Sequence, residues 1–271
     1  MIRDITIGQY LPGKSFLHKM DPRAKILWTL SFVIVIFLCK NFWSLGLMVL
    51  TAIGMLLLSR VPMRMMWKSL KPLVPILLFT GVLNLFYSKT GTVLWSWKFL
   101  TLTDKGVYTG AFMVIRILSL VSVSALLTYT TTPTALTDGI ERLLSPLKVF
   151  KVPVQSLAMM MTLALRFIPT LIEEIDRIMS AQKARGADLE TGGFLKRAKA
   201  LLPILIPLFV SAFRRAYDLA FAMECRCYQG GNGRTRMKQM KLGVRDFVGL
   251  ALLALLIAGV ILLNRFFAPL L

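Results

Sequence analysis

The sequence predicts an all-α integral membrane protein, with about five transmembrane helices and a cytoplasmic domain of long amphipathic helices. Three observations carry that prediction. Of the 271 residues 56% are hydrophobic and the mean hydropathy is +0.68, too apolar for an ordinary soluble domain. The apolar residues fall in runs divided by cationic loops, which accounts for a net charge of +20. One stretch, 131–241, departs from this by holding nine of the 13 acids together with seventeen cations.

The same composition limits the function. A basic nucleic-acid binder carries its cations on a soluble fold rather than between apolar runs, so no nucleic acid is expected as a partner. Cys39, Cys225 and Cys227, with one His, supply neither a disulfide framework nor the ligands of a structural zinc site. No Ser/His/Asp, Cys/His or paired-carboxylate set stands out, so no catalytic residue, metal or cofactor is assigned. The first apolar run starts after Lys25 without a small-residue cleavage pattern, so no cleavable signal is expected.

Taken in order, residues 1–25 are basic and form a cytoplasmic lead containing the turn Leu11-Pro12-Gly13. Ile26–Cys39 is a short crossing, tolerable where flanking side chains snorkel. Phe42–Ser59 crosses back to Arg60, Arg64, Lys68 and Lys71, four cations without an acid that mark a cytoplasmic loop. Pro72–Tyr87 is the third crossing, and an external segment with Trp95 and Trp97 follows it. Val107–Tyr129 is the fourth, interrupted by Arg116, which is expected to snorkel or to face a protein neighbour rather than to serve transport. These elements form a first region, 1–130.

The second region, 131–242, is read as cytoplasmic. Thr134–Leu147 is a short amphipathic helix, and Val154 to about Ala184 is a long one, roughly 45 Å at 1.5 Å per residue. It carries a wide apolar stripe opposite the polar line Thr162, Arg166, Thr170, Glu173 and Arg177, and Pro169 is expected to kink it. The three methionines Met159–Met161 suit either core packing or an adaptable partner surface, and Glu173-Glu174 suits a solvated face. Ala200–Phe213 is intensely apolar but short and holds Pro203 and Pro207, which suits a buried or re-entrant helix continuing to Glu224 and stopped by Gly230, Gly231 and Gly233. Gly231-Asn232-Gly233 follows a helix and lacks a Gly-Lys-Ser/Thr sequence, which argues against a nucleotide loop. The third region, 243–271, contains the last crossing, Phe247–Leu263, so the N-terminus lies inside and the C-terminus outside.

Two short turns stand out within the second region. Ala184-Arg185-Gly186 closes the first long helix, and Glu224-Cys225-Arg226-Cys227 closes the second. Singly, each is a routine helix end, a cation on the C-terminal dipole followed by a stop. As a pair they present two planar five-donor guanidinium groups on rigid helices, suited to acidic grooves on a partner.

These residues carry a resemblance. Gly8-Gln9-Tyr10-Leu11-Pro12-Gly13, His18-Lys19-Met20-Asp21-Pro22-Arg23-Ala24-Lys25, Ala184-Arg185-Gly186 and Ala222-Met223-Glu224-Cys225-Arg226-Cys227-Tyr228 together resemble the transmembrane T component of energy-coupling factor transporters. The match runs over most of the chain in the expected order. It implies a non-catalytic scaffold in a prokaryotic inner membrane that joins two ATP-binding-cassette ATPases, as a heterodimer, to a membrane-embedded S component that captures a micronutrient such as a vitamin or a transition metal. It also implies that Arg185 and Arg226 seat in the ATPases, and that Met159, Met160, Ala164 and Leu205 face the S component. The second motif departs from the family's Ala-Arg-Gly pattern, with Cys225 and Cys227 around Arg226. The rival reading is a self-contained secondary transporter with Arg116 and Asn84 lining a path; a membrane-bound enzyme is disfavoured by the lack of a catalytic set.

Overall fold

The computed structural model describes residues 10–87, 93–97, 100–187, 193–230 and 243–267. Nine α-helices among them are α1 (Pro22–Leu38), α2 (Phe42–Ser59), α3 (Met63–Leu70), α4 (Val74–Tyr87), α5 (Asp104–Thr130), α6 (Pro133–Leu143), α7 (Val154–Ala184), α8 (Phe194–Glu224) and α9 (Val244–Phe266). The described strands form one antiparallel hairpin, β1 (Val93–Trp97) and β2 (Leu100–Thr103), with Val93 opposite Thr103 and Trp97 opposite Leu100. The hairpin falls within the segment expected to be external. By length and composition, six helical stretches suffice to cross a membrane: Phe42–Ser59, Met63–Leu85, Asp104–Thr130, Val154–Ala184, Lys199–Glu224 and Val244–Phe266. This set differs from the five crossings expected. At 17 residues α1 is just short, whereas α7 and α8 qualify because their apolar stripes outweigh their polar lines.

The chain divides into two compact units, Gly8–Ile140 with Gln239–Leu271 and Glu141–Lys238. The core of the first is made by α1, α2, α5 and α9 around Phe32, Ile36, Leu45, Met48, Phe112, Val123, Leu256 and Val260. Its two ends are closed by polar side chains. At one end Asp21 caps α1, accepting from Arg23 N–H at 2.9 Å, with Pro22 at the first helical position, where its missing N–H costs nothing. The Lys25 ammonium donates to Thr130 C=O at 2.9 Å and to Thr131 Oγ1 at 3.3 Å. Asp246 accepts from Asp21 N–H at 2.7 Å and from Gly243 N–H at 2.8 Å. The lead, α5 and α9 are thereby tied together. His18 Nε2 donates to Leu11 C=O at 2.9 Å while Nδ1 accepts from Ser15 Oγ at 2.6 Å. Gly13 is required there, since a Cβ would stand 2.7 Å from the imidazole.

At the other end, Arg116 is buried and donates to Cys39 C=O at 2.7 Å. Its guanidinium lies 4.6 Å from the Phe112 ring centroid. It therefore fills a carbonyl that the end of α1 leaves without a helical donor, and it stacks on an aromatic face. This is the protein-neighbour alternative anticipated for it. Asn84 Nδ2 donates to Thr80 C=O of its own helix at 2.9 Å. Both residues offered as the lining of a secondary transporter's path are thus engaged structurally.

The second unit is dominated by α7 and α8, each an unbroken 31-residue helix. α7 continues through Pro169, and α8 through Pro203 and Pro207. The continuation expected from Ala200 to Glu224 is present, and the rod begins earlier, at Phe194. α8 ends at Glu224, where its end was expected, and the first left-handed residue after it is Cys227, ahead of Gly230. Gly231, Asn232, Gly233 and Arg234 lie outside the described residues.

Candidate functional site

Among the described residues, an ion pair and a side-chain-to-backbone hydrogen bond join the two rods. Arg215 donates to Glu174 Oε2 at 2.6 Å, so Glu174 is not the purely solvated residue expected. Gln182 Nε2 donates to Pro203 C=O at 3.2 Å. The identity of that acceptor has a cause in the sequence. An α-helical carbonyl normally accepts from the N–H four residues on, and for Pro203 that residue is Pro207, which has none. Gln182 fills the vacancy. The contacts 182 to 203 and 174 to 215 also set direction: as the number falls on α7 it rises on α8, so the rods are antiparallel. Their C-termini therefore lie at opposite ends of the pair.

At the end of α7, Gly186 N–H donates to Lys183 C=O at 3.0 Å and Ala187 N–H to Gln182 C=O at 3.0 Å. This pair of bonds is a Schellman stop, with Arg185 as the last residue before a left-handed Gly186 at φ 85°. At the end of α8, Cys227 N–H donates to Glu224 C=O at 2.8 Å and Tyr228 N–H to Met223 C=O at 3.0 Å. The pattern is the same, with Arg226 in the place of Arg185 and Cys227, at φ 54°, in the place of Gly186. Replacement of glycine by cysteine has therefore not changed the turn. A side chain in this region costs roughly 1–2 kcal/mol relative to glycine.

Both turns are exposed, including Ala184, Arg185 and Gly186 at one and Glu224, Cys225, Arg226 and Cys227 at the other. Neither arginine has a side-chain partner among the described residues, and Cys225 and Cys227 are free thiols. The geometry brings each turn's residues together but keeps the two turns apart. The flanks of the rods are apolar and open: Met160 is 57% exposed and Leu205 43%, Ala164 is exposed and Met159 half-buried. Only Val154 and Ala158 of α7 are buried among its described residues, while Ile204 is buried on α8. Rods this apolar and this uncovered have surface to give to other molecules.

Comparison with known proteins decides what kind of molecule carries them. Residues 13–238 match the model of the CbiQ family, described as Cobalt transport protein. The chain is 51% identical over 267 residues to the energy-coupling factor transporter transmembrane protein of Ruminiclostridium cellulolyticum, covering 98% of this chain and 100% of that one. It is 50% identical over 266 residues to the protein of the same name from Clostridium kluyveri, covering 98% of each. With the Bacillus subtilis protein of that name the identity is 45% over 260 residues, 95% of this chain and 98% of the other. The chain belongs to this family. It is thus a multi-pass membrane component of a transporter, and the family match extends from Gly13 through both arginine turns.

The Gln182–Pro203 hydrogen bond and the Glu174–Arg215 pair were not foreseen from the sequence. A signal did exist for one of them. Two prolines four residues apart in a helix guarantee that the first one's carbonyl lacks its backbone donor. Nothing in the sequence says which side chain fills it.

Proposed function

We propose that this chain is the non-catalytic scaffold of an energy-coupling factor importer in a prokaryotic cell membrane, with the lead and the 131–242 region in the cytoplasm. Arg185 and Arg226 seat in two ATP-binding-cassette ATPases, which hydrolyse the ATP. The flanks of α7 and α8, including Met159, Met160, Ala164 and Leu205, meet a membrane-embedded S component that captures a vitamin or transition metal ion. The observation that carries this reading is the pairing of identical arginine turns at opposite ends of an antiparallel helix pair. One acceptor cannot reach both ends of rods about 45 Å long, so two acceptors are needed, and each guanidinium suits an acidic recess. A closing movement of two ATPases would then bear on both ends of the same pair and shift the flanks between them.

The test is charge reversal. Arg185→Glu with Arg226→Glu abolishes co-purification of the ATPases and ATP-driven uptake, while the chain still inserts and purifies as a membrane protein. Each single reversal weakens recovery without abolishing it. Full ATPase recovery with the double variant would overturn the assignment.

A further inference from the structure

Outside the rods, α3 and its two flanks carry four exposed cations, Arg60, Arg64, Lys68 and Lys71. Its side chains sort into three stripes. Met66, 3% exposed, packs with Val61, Leu126 and Tyr129. Ser69 Oγ hydrogen-bonds Tyr129 Oη, and Tyr129 Oη donates to Met65 C=O at 3.3 Å. That stripe pins the helix to α5. Next to it on the helix surface run Met63, 70% exposed, and Trp67, 65% exposed, four residues apart. Beyond those run Arg64, Lys68 and Lys71, all exposed, at the spacing that places them on one face. Arg60, also exposed, precedes them at the end of α2. No acid occurs in the sequence between Asp21 and Asp104, and the α5 residues packed against α3 are apolar or the phenol of Tyr129.

A helix with one stripe fixed to the protein has no folding reason to expose a tryptophan and a methionine on its next edge. A leaflet boundary gives one: the apolar edge enters the acyl region and the cations beside it reach phosphates. We propose that α3, with Arg60 and Lys71, is a binding surface for anionic phospholipid headgroups of the leaflet it faces. Trp67 and Met63 set its depth, and Arg64, Lys68 and Lys71 set its preference for negative charge. The occupant is lipid rather than an acidic protein because the cations adjoin an open apolar edge at the end of the membrane-spanning stretch Met63–Leu85.

The full chain in bilayers reports on this through tryptophan fluorescence, with the Trp67→Phe variant subtracted to isolate Trp67. Brominated phosphatidylglycerol will quench Trp67 at a several-fold lower mole fraction than brominated phosphatidylcholine. The triple variant Arg64→Gln, Lys68→Gln, Lys71→Gln will abolish that preference, so that the two lipids quench at equal mole fraction, while quenching itself persists because Met66 still holds the helix. In the unaltered chain about 0.5 M salt will weaken the preference, a check that does not depend on the variant folding. Equal quenching by both lipids in the unaltered chain would overturn the proposal, as would a preference that survives the triple variant. Trp67 shielded from both lipids in the complete transporter would assign the surface to a protein partner and overturn it equally.

Discussion

Two single positions show how closely local chemistry is set. At the α8 turn a cysteine holds the left-handed conformation that glycine holds at the α7 turn. Cys227→Gly will stabilise that turn by about 1 kcal/mol, and Gly186→Ala will destabilise the other by a similar amount. Gly186 has open space around it, so its cost is conformational rather than steric. Amide exchange at Tyr228 and at Ala187, slower in the first variant and faster in the second, checks both. Arg116 is the other such position. Arg116→Leu leaves the Cys39 carbonyl without its donor and will lower stability by about 1–3 kcal/mol. A thermal-unfolding series in detergent will show this drop. Uptake per folded molecule will remain, which a path-lining role would not allow.

Among elements, the prolines of α8 have a use beyond shaping the helix. Pro207 removes the donor that Pro203 C=O would otherwise accept from, and Gln182 of α7 occupies it, one turn before Arg185. Gln182→Leu will remove that bond, worth about 0.5–1.5 kcal/mol, and will speed exchange of the Ala187 amide by up to roughly 10-fold. Pro207→Ala restores the backbone donor and produces the same release from the other side. The first unit has its own tie in Asp246, which accepts from both Asp21 and Gly243. Asp246→Ala strands two N–H groups and will cost about 2 kcal/mol or more, whereas Asp246→Asn keeps one acceptor and will cost less. Denaturation of the two variants side by side gives the order.

For the whole molecule, the division into two compact units places the membrane core in one and both arginine turns in the other. The core of the first unit buries its residues by packing four helices, α1, α2, α5 and α9, on one another. The rods of the second unit are among the least buried of the long helices, which is the condition of elements that complete their packing on partners. Loss of the ATPases through the double arginine reversal, with insertion preserved, is the prediction that belongs at this scale.

The sequence by itself determined the helical class, the apolar runs, the position of both arginines at helix ends and the family resemblance. These depend on hydropathy, helical period and short motifs, all of which act within a few turns. Tertiary structure decided that α8 starts as early as Phe194 and passes through both of its prolines unbroken, and that Arg116 serves the end of α1. It also decided that Glu174 meets Arg215 and that Gln182 meets Pro203. Each of these pairs residues far apart in sequence, and a donor's need for an acceptor is legible locally while the identity of that acceptor is fixed only when helices pack.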